Sequence, residues 1–287
     1  MIVGASNFDA IKATSADVVW RSGSLGNRLL MVKQKVAVWS SRLAQIFALA
    51  PESTIGAKDD KVPVFNTRNP PYRMICSLEI DFGSKFGIFH GTGWFAGPSI
   101  VVTAGHCLFD TGMGWAHSVA IIPGRSGDDA DSRPFGTTSS DRLSVAEDWK
   151  NAAAPAADIG CIHLNEPLGD RLGWLAYGSS SINLSGHPEV RTAGYSEYMA
   201  KNSILTRSEG ELIGLASGRL FYTLDTKQGA SGAPIMGKQE PAQVLAVHAY
   251  DEDERVAEII EESNSGPWIG PDVIDLIDSW NMILSPE

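Results

Sequence analysis

Three short segments of this 287-residue chain carry residue types that could perform nucleophilic chemistry together. His106 follows a strand-like apolar run at Ile100–Val102, Asp158 opens a second apolar run, and Ser231 lies between small residues near position 230. A serine hydroxyl becomes a useful nucleophile when a histidine base lies within hydrogen-bond reach and a carboxylate orients that base. The order His, Asp, Ser along the chain is informative, because the same triad occurs in different orders on unrelated folds.

The glycines around the serine could supply an oxyanion hole, which acyl transfer uses in addition to the nucleophile and its base. Gly229 and Gly232 permit close backbone approach and positive φ, and the backbone N–H groups of Gly229 and Ser231 could converge on one oxygen. Each donor of such an oxyanion hole is worth about 2.7–4 kcal/mol. By itself, the run from Gly229 to Gly232 is equally consistent with a glycine-rich turn between two strands.

The composition argues against a nucleic-acid-binding protein, a membrane-spanning protein and a disulfide-rich scaffold. The formal net charge is −11, which argues against non-specific binding to nucleic acid or to an anionic membrane surface. No apolar stretch reaches the ~20 residues that cross a bilayer. The three cysteines cannot all pair and stand in apolar runs, so we expect free buried thiols. No His-Glu-x-x-His occurs, and we expect neither a metal ion nor a cofactor.

The elements that must position these residues fall into two unequal parts. Residues 1–53 carry apolar side chains at helical spacing from Leu29 to Ala50, and Pro51 ends the pattern. This extension could be a helix packed on the body, a pro-segment or a degraded secretion signal; we favour a pro-segment. From about residue 63, short strands alternate with turns until a helix predicted at 271–284. The pattern indicates an all-β sandwich or barrel, divided near Glu166.

The motifs together resemble a known family. Val102 to Cys107, Asp158 to Gly160 and Gly229 to Pro234 resemble the chymotrypsin-like serine peptidases, and the chain is similar, more narrowly, to the bacterial glutamyl endopeptidases over residues 54–284. Further segments that carry the resemblance are Thr54–Asp60, Asn66–Thr67, Pro71–Arg73, Gly93–Trp94, Gly97–Pro98, Pro123–Arg125, Asn165–Gly169 and Leu245–His248.

The resemblance implies a fold and a set of roles. The fold would be two six-stranded antiparallel Greek-key barrels, at about 63–165 and 166–270, with the C-terminal helix after them and the site in the cleft between them. His106 would be the general base, Asp158 its orienting partner and Ser231 the nucleophile, with Gly229 and Ser231 forming the oxyanion hole. Residues 54–284 would be the peptidase domain.

The resemblance also bears on specificity. Glutamyl members hold a substrate carboxylate with a threonine five residues before the serine and with a histidine in a later strand, here Thr226 and His248. The family usually has glycine three residues after that histidine, where this chain has Asp251. An acidic side chain there would repel an acidic substrate or narrow the cleft.

Two further departures concern structure. Many relatives pair the cysteine at position 107 with one at the position where this chain has Gly91, so we expect Cys107 to be unpaired. Ala230 replaces an aspartate that binds the freed N-terminal amine in digestive relatives. Glutamyl relatives place the new N-terminus near the specificity pocket, here at about Ser53–Thr54.

The sequence therefore predicts a serine endopeptidase that acts through an acyl-enzyme, with a possible preference for Glu or Asp before the scissile bond. The alternative is a catalytically idle or zymogen-locked binding module on the same fold. We expect a monomer that acts on polypeptides, with no nucleic-acid or membrane partner, and we expect it to be secreted.

Overall fold

Two sheets, antiparallel except for the short β12–β17 pair, contain all but two of the described strands in the computed structural model. The structure describes residues 2–5, 55, 59–178, 182–196, 203–238, 242–251 and 263–282, so the helical pattern expected between Leu29 and Ala50 lies outside the described residues. The strands are β1 Ile2–Ala5, β2 Val62–Pro63, β3 Ile75–Asp81, β4 Ile88–Phe95, β5 Ile100–Thr103, β6 Phe109–Asp110, β7 Gly114–Trp115, β8 Ser118–Pro123, β9 Thr138–Ser140, β10 Leu143–Ala146, β11 Gly160–His163, β12 Ala176–Tyr177, β13 Glu189–Gly194, β14 Thr206–Ala216, β15 Arg219–Tyr222, β16 Pro234–Gly237, β17 Gln243–Val247 and β18 Asn264–Pro267.

Within the described residues, helices are few and short. The α-helices are α1 Glu147–Ala152, α2 Leu168–Leu172 and α3 Pro271–Met282, and 3-10 turns lie at Tyr72–Met74, Gly105–Cys107, Ala130–Ser132 and Pro155–Ala157. Pro271 opens α3 as predicted, because a proline at the first helical position gives up no hydrogen bond. In the described part of the chain, no helix has the length and apolar character needed to cross a membrane.

The first sheet has the strand order β1-β10-β11-β5-β4-β3-β8-β9, and neighbouring strands run antiparallel. Its central strands are rich in β-branched residues, and β5 is buried at all four positions. Such continuous burial is typical of a strand covered on both faces. The apolar run before His106 is therefore a rigid support rather than a surface loop.

The second sheet closes on itself. Strands β17, β16, β13, β14, β15 and β18 follow one another in space, and hydrogen bonds between Tyr250 and Ser265 join the end of β17 to β18. These six strands form a ring around a core that includes Leu212, Tyr222 and Ile235. The predicted all-β fold of two antiparallel barrels with a C-terminal helix is confirmed.

Each barrel also receives a segment from the far end of the chain. Strand β2, which lies between β1 and β3 of the first sheet in sequence, pairs with β14 of the second barrel. Helix α3, which follows the second barrel, packs on the first, where the Asn281 side chain donates a hydrogen bond to the Ala96 carbonyl at 3.2 Å. The chain thus crosses between the barrels at both ends as well as near residue 166.

Candidate active site

Strand pairing brings the histidine and the aspartate together. Strand β5 runs antiparallel to β11, with Thr103 opposite Gly160. The residues just after β5 therefore face the residues just before β11. His106 lies in the 3-10 turn that follows β5, and Asp158 lies two residues before β11. A separation of 52 residues in sequence thus becomes direct contact.

Two hydrogen bonds join His106 to the Asp158 carboxylate, one from the ring and one from the backbone. His106 Nδ1 lies 2.8 Å from Asp158 Oδ2, and the His106 backbone N–H donates to Asp158 Oδ1, also at 2.8 Å. Asp158 is fully buried and His106 is 2% exposed. Burial by itself lowers the pKa of His106, but the Asp158 carboxylate and, to a lesser extent, the Cys107 thiol outweigh it and raise that pKa well above its ordinary value. The pair fixes the ring orientation and stabilises an imidazolium.

Trp149 is a supporting residue that the sequence did not single out. Its ring meets the His106 ring edge-on, with centroids 6.3 Å apart, and its Nε1–H donates to the Phe109 carbonyl at 3.0 Å. It is carried by α1, a helix of one and a half turns whose apolar periodicity is too short to recognise in sequence. Gly105 leaves room for this ring, since a Cβ there would lie 2.8 Å from Trp149 Cδ1.

The serine comes from the opposite barrel. Ser231 lies between β15 and β16, and its backbone carbonyl accepts a hydrogen bond of 2.8 Å from the N–H of Thr92 in β4 of the first barrel. The Cys107 thiol, next to His106 in sequence, lies 4.0 Å from the same carbonyl oxygen. The structure therefore brings the turns that carry Ser231 and His106 together across the boundary of the two barrels.

Thr92 connects the serine turn to both barrels. Its hydroxyl donates to the Gly229 carbonyl at 2.9 Å and accepts the Tyr195 N–H at 2.9 Å, while its own carbonyl accepts the Thr103 hydroxyl at 2.7 Å. Its side chain is fully buried. Gly232 makes this close approach possible, because its φ is +90° and a Cβ would collide with the Thr92 carbonyl and the Thr103 hydroxyl.

The predicted oxyanion residues lie in a tight turn. The Ala230 N–H donates to the Lys227 carbonyl at 2.9 Å, and Gly229 has a φ of +92°, the value that the third residue of a type II turn requires. A type I turn would flip the peptide that carries the Gly229 N–H. Within the described ranges, the N–H groups of Gly229 and Ser231 have no hydrogen-bond acceptor. Both are available to a developing oxyanion.

The two predicted specificity residues lie beside this turn. The His248 carbonyl accepts the Gly232 N–H at 2.7 Å, so its strand runs next to the nucleophile turn, and Thr226 precedes the same turn. Asn264 donates to the Thr226 hydroxyl at 2.9 Å, and the Tyr222 hydroxyl lies 2.8 Å from His248 Nδ1. Burial lowers the pKa of His248 to about 4, so its ring is neutral near pH 7.

The Asp251 carboxylate lies against both predicted specificity residues. The Thr226 hydroxyl donates to Asp251 Oδ1 at 2.9 Å, and His248 Nε2 lies 3.6 Å from the same oxygen. The side chains of Thr226 and His248 are almost completely buried, whereas the Asp251 side chain is 18% exposed. The sequence did not indicate the roles of Tyr222 and Asn264 or the position of the Asp251 carboxylate, because these depend on contacts between side chains that are distant in sequence.

A buried carboxylate next to Thr226 holds the segment that precedes the first barrel. Asp225 Oδ1 accepts the Ile55 N–H at 2.7 Å, and its Oδ2 accepts the Asp60 N–H at 2.8 Å. The Ser208 hydroxyl accepts the Asp225 N–H and donates to the Asp60 carboxylate. The Asp225 side chain, one position from the predicted pocket, therefore anchors the backbone at Ile55 and at Asp60.

The cysteines are free thiols, as predicted. Cys76, Cys107 and Cys161 are all buried and unpaired. A Cβ built on Gly91 would lie 3.3 Å from the Cys107 sulfur, which is the geometry expected where relatives place a second cysteine. In the described part of the chain, no group of three or more histidine, cysteine, aspartate or glutamate side chains could hold a metal ion.

Two facing antiparallel barrels, with a buried histidine–aspartate pair on one and a glycine-flanked serine turn from the other, define the chymotrypsin-like class of folds. The family model described as Trypsin matches residues 66–261. The chain belongs to the trypsin family, which confirms the resemblance seen in the sequence.

Individual relatives narrow the comparison. The chain is 33% identical over 192 residues to the glutamyl endopeptidase of Bacillus licheniformis, covering 64% of this chain and 54% of that protein. It is 32% identical over 198 residues to a Bacillus subtilis protein named extracellular metalloprotease, covering 66% and 59%. The matched region thus spans little more than half of either relative.

Solved structures agree on the fold. A Glu endopeptidase in complex with MPD superposes with a TM-score of 0.67 at 21% identity, over 80% of this chain and 99% of that chain. The protease Anisep from Arthrobacter nicotinovorans superposes with a TM-score of 0.62 at 16% identity, over 77% and 99%.

Proposed function

We propose that the chain is a serine endopeptidase that hydrolyses peptide bonds through an acyl-enzyme on Ser231. The observation that carries the proposal is the buried pair of His106 and Asp158, whose turn touches the turn of Ser231 from the other barrel. Trypsin-family membership and the named glutamyl endopeptidase relative support it.

The chemistry follows from the assigned roles. The Ser231 oxygen attacks the scissile carbonyl carbon while its proton passes to His106 Nε2, and Asp158 stabilises the resulting imidazolium through Nδ1. The N–H groups of Gly229 and Ser231 bind the oxyanion. Collapse of the tetrahedral intermediate breaks the C–N bond, and His106 gives the proton to the leaving amine. Water then hydrolyses the acyl-enzyme with the same base.

The alternative of a catalytically idle module is less favoured. An idle site can lack its base, its orienting carboxylate or a correctly turned oxyanion peptide. Here His106 and Asp158 are paired, and the positive φ of Gly229 sets the orientation of its N–H. These features support a competent site in this chain.

We also propose that Thr226 and His248 form a receptor for a carboxylate next to the nucleophile. The named activity of the Bacillus licheniformis relative supports an acidic residue before the scissile bond. The donor set fits, because a hydroxyl and a neutral imidazole can each donate one hydrogen bond to a carboxylate. Asn264 supports it by donating to the Thr226 oxygen, and Tyr222 supports it when its hydroxyl donates to His248 Nδ1, which leaves the ring proton on Nε2.

The extension is proposed to be a pro-segment, with residues 54–284 as the mature domain. The binding of the Ile55 and Asp60 N–H groups by Asp225 supports a processed end close to Thr226. Secretion is part of the same proposal; the name of the Bacillus subtilis relative supports it. We propose that the mature enzyme is a monomer that acts on polypeptides.

The test combines labelling with substrate profiling. A fluorophosphonate is expected to modify Ser231, and Ser231→Ala is expected to abolish both labelling and cleavage of a peptide library. Mass spectrometry of the same sample gives the cleaved bonds and the protein's own N-terminus. Peptide cleavage that survives in the Ser231→Ala variant would refute the assigned mechanism. An N-terminus that stays at residue 1 in the active enzyme would refute the pro-segment.

A further inference from the structure

We propose that Asp251 is an internal stand-in for the acidic side chain of a substrate, so that the carboxylate receptor of this chain is already filled. The inference rests on the proposed function of the site, and it concerns which side chain the site admits. It makes Asp251 a specificity-determining residue that weakens the acidic preference the receptor would otherwise have.

The contacts of Asp251 are those that a bound carboxylate would make. Its Oδ1 accepts the Thr226 hydroxyl at 2.9 Å and lies 3.6 Å from His248 Nε2. Because Asn264 donates to the Thr226 oxygen, the Thr226 proton is directed toward Asp251. When the Tyr222 hydroxyl donates to His248 Nδ1, the neutral ring carries its proton on Nε2, which also faces Asp251. The Thr226 hydroxyl is thus committed to Asp251 Oδ1, and His248 Nε2 faces the same oxygen at 3.6 Å.

The site offers few alternatives to an incoming carboxylate. Thr226, His248, Tyr222 and Asn264 are all buried, so the receptor cannot widen without moving packed side chains. The receptor residues carry no positive charge while His248 is neutral, and Asp251 adds one negative charge. A second carboxylate must therefore displace Asp251 or lie beside it.

Like-charge repulsion sets the size of the effect. Two carboxylates about 4 Å apart at an effective dielectric of ~20 repel by an amount equivalent to roughly 10³-fold in binding. The Asp251 side chain is 18% exposed, so solvent screens part of this repulsion. We expect a penalty of roughly 100-fold against Glu relative to Gln before the scissile bond, because the two side chains share one shape and differ in charge.

The experiment compares two variants on matched peptides. Native enzyme, Asp251→Asn and Asp251→Gly are assayed on peptides that differ only in Glu or Gln before the scissile bond. The Glu-to-Gln ratio of kcat/KM is expected to rise roughly 100-fold in Asp251→Gly and by less in Asp251→Asn, whose amide oxygen can still accept both donors. Asp131→Asn removes the same charge from an exposed turn and is expected to leave the ratio unchanged.

A second measurement tests the mimicry itself. In Asp251→Gly, added acetate is expected to inhibit cleavage of the Glu peptide competitively, because it enters the vacated receptor; native enzyme is expected to be insensitive. A ratio that stays constant or falls in both variants, or the absence of acetate inhibition, would overturn the inference. Fluorophosphonate labelling of Ser231 in all three proteins separates a failure of the peptidase proposal from a failure of this inference. If Ser231 is not labelled, the peptidase proposal fails. If Ser231 is labelled and the Glu-to-Gln ratio of kcat/KM is unchanged, only the role of Asp251 fails.

Discussion

Removal of the Thr92 hydroxyl should lower the catalytic rate although no residue of the triad is changed. Thr92→Val keeps the branched shape and the backbone N–H that binds the Ser231 carbonyl. It deletes the hydrogen bond to the Gly229 carbonyl and the one from the Tyr195 N–H, each 2.9 Å long. Because the site is fully buried, water cannot replace either bond.

The two effects of this substitution can be given magnitudes. Each buried group left without a partner costs about 1–3 kcal/mol, so the loss of two partners should lower the free energy of unfolding by about 2–6 kcal/mol. Complete loss of one oxyanion donor lowers kcat by about 10²–10³. Thr92 acts on the Gly229 donor through the neighbouring peptide, so we expect a smaller decrease of about 10–100-fold in kcat.

The assay must separate a loss of stability from a misplaced oxyanion turn. Active-site titration with a fluorophosphonate gives the folded fraction, and kcat is then calculated per titrated site. Ser140→Ala is the matched control, because its buried hydroxyl also donates to a carbonyl, that of His163, and accepts a backbone N–H, that of Arg142. The control is expected to lose similar stability with an unchanged kcat.

Thr92→Ser completes the series because it restores the hydroxyl without the methyl group. Its kcat is expected to return to within a few fold of the native value. If Thr92→Val keeps its native kcat per titrated site, or if the Ser variant is as slow as the Val variant, the hydroxyl does not position the turn. The assignment of Thr92 would then be wrong.

Three further predictions follow from the site. Asp158→Asn should reduce kcat by about 10⁴-fold. Because the native carboxylate raises the pKa of His106, the substitution should also shift the acidic limb of the kcat/KM pH profile to lower pH. An acidic limb at its native pH would contradict this prediction. Gly91→Cys should form a disulfide with Cys107 and stabilise by up to about 3 kcal/mol, lost on reduction, and identical melting with and without reductant would argue against it. Asp225→Asn leaves one acceptor where two N–H groups bind, so hydrogen exchange at the Ile55 and Asp60 amides should accelerate, and native protection of both would refute the anchor.

The sequence predicted the triad because each member follows or opens an apolar strand and carries small neighbours. Strand β5, Ile100–Thr103, contains the strand-like run Ile100–Val102 seen in the sequence, since β-branched runs bounded by turn residues are a strong local pattern. Strand β18, Asn264–Pro267, gave no such indication, because its polar, glycine and proline residues become a strand only by closing the ring of the second barrel.

The supporting residues of the site were harder to predict for a related reason. Thr92, Trp149 and Asp225 act through contacts with residues 50 to 170 positions away or through short elements without periodicity. Asp251 was recognised as a departure from the family, but only the structure places its carboxylate on Thr226. Local sequence pattern thus predicts the reacting groups, whereas the residues that position them depend on tertiary contacts.

The exchange of end segments between the barrels has a consequence for how the chain can be divided. Ile55 and residues 59–64 contact the second barrel, which is synthesised last, and helix α3 contacts the first barrel, which is synthesised first. A single break in the chain near Gly173 would give two fragments, and each fragment would carry a segment that packs on the barrel of the other fragment. Two separately produced polypeptides, ending and beginning at that point, should therefore associate and reconstitute the site by complementation.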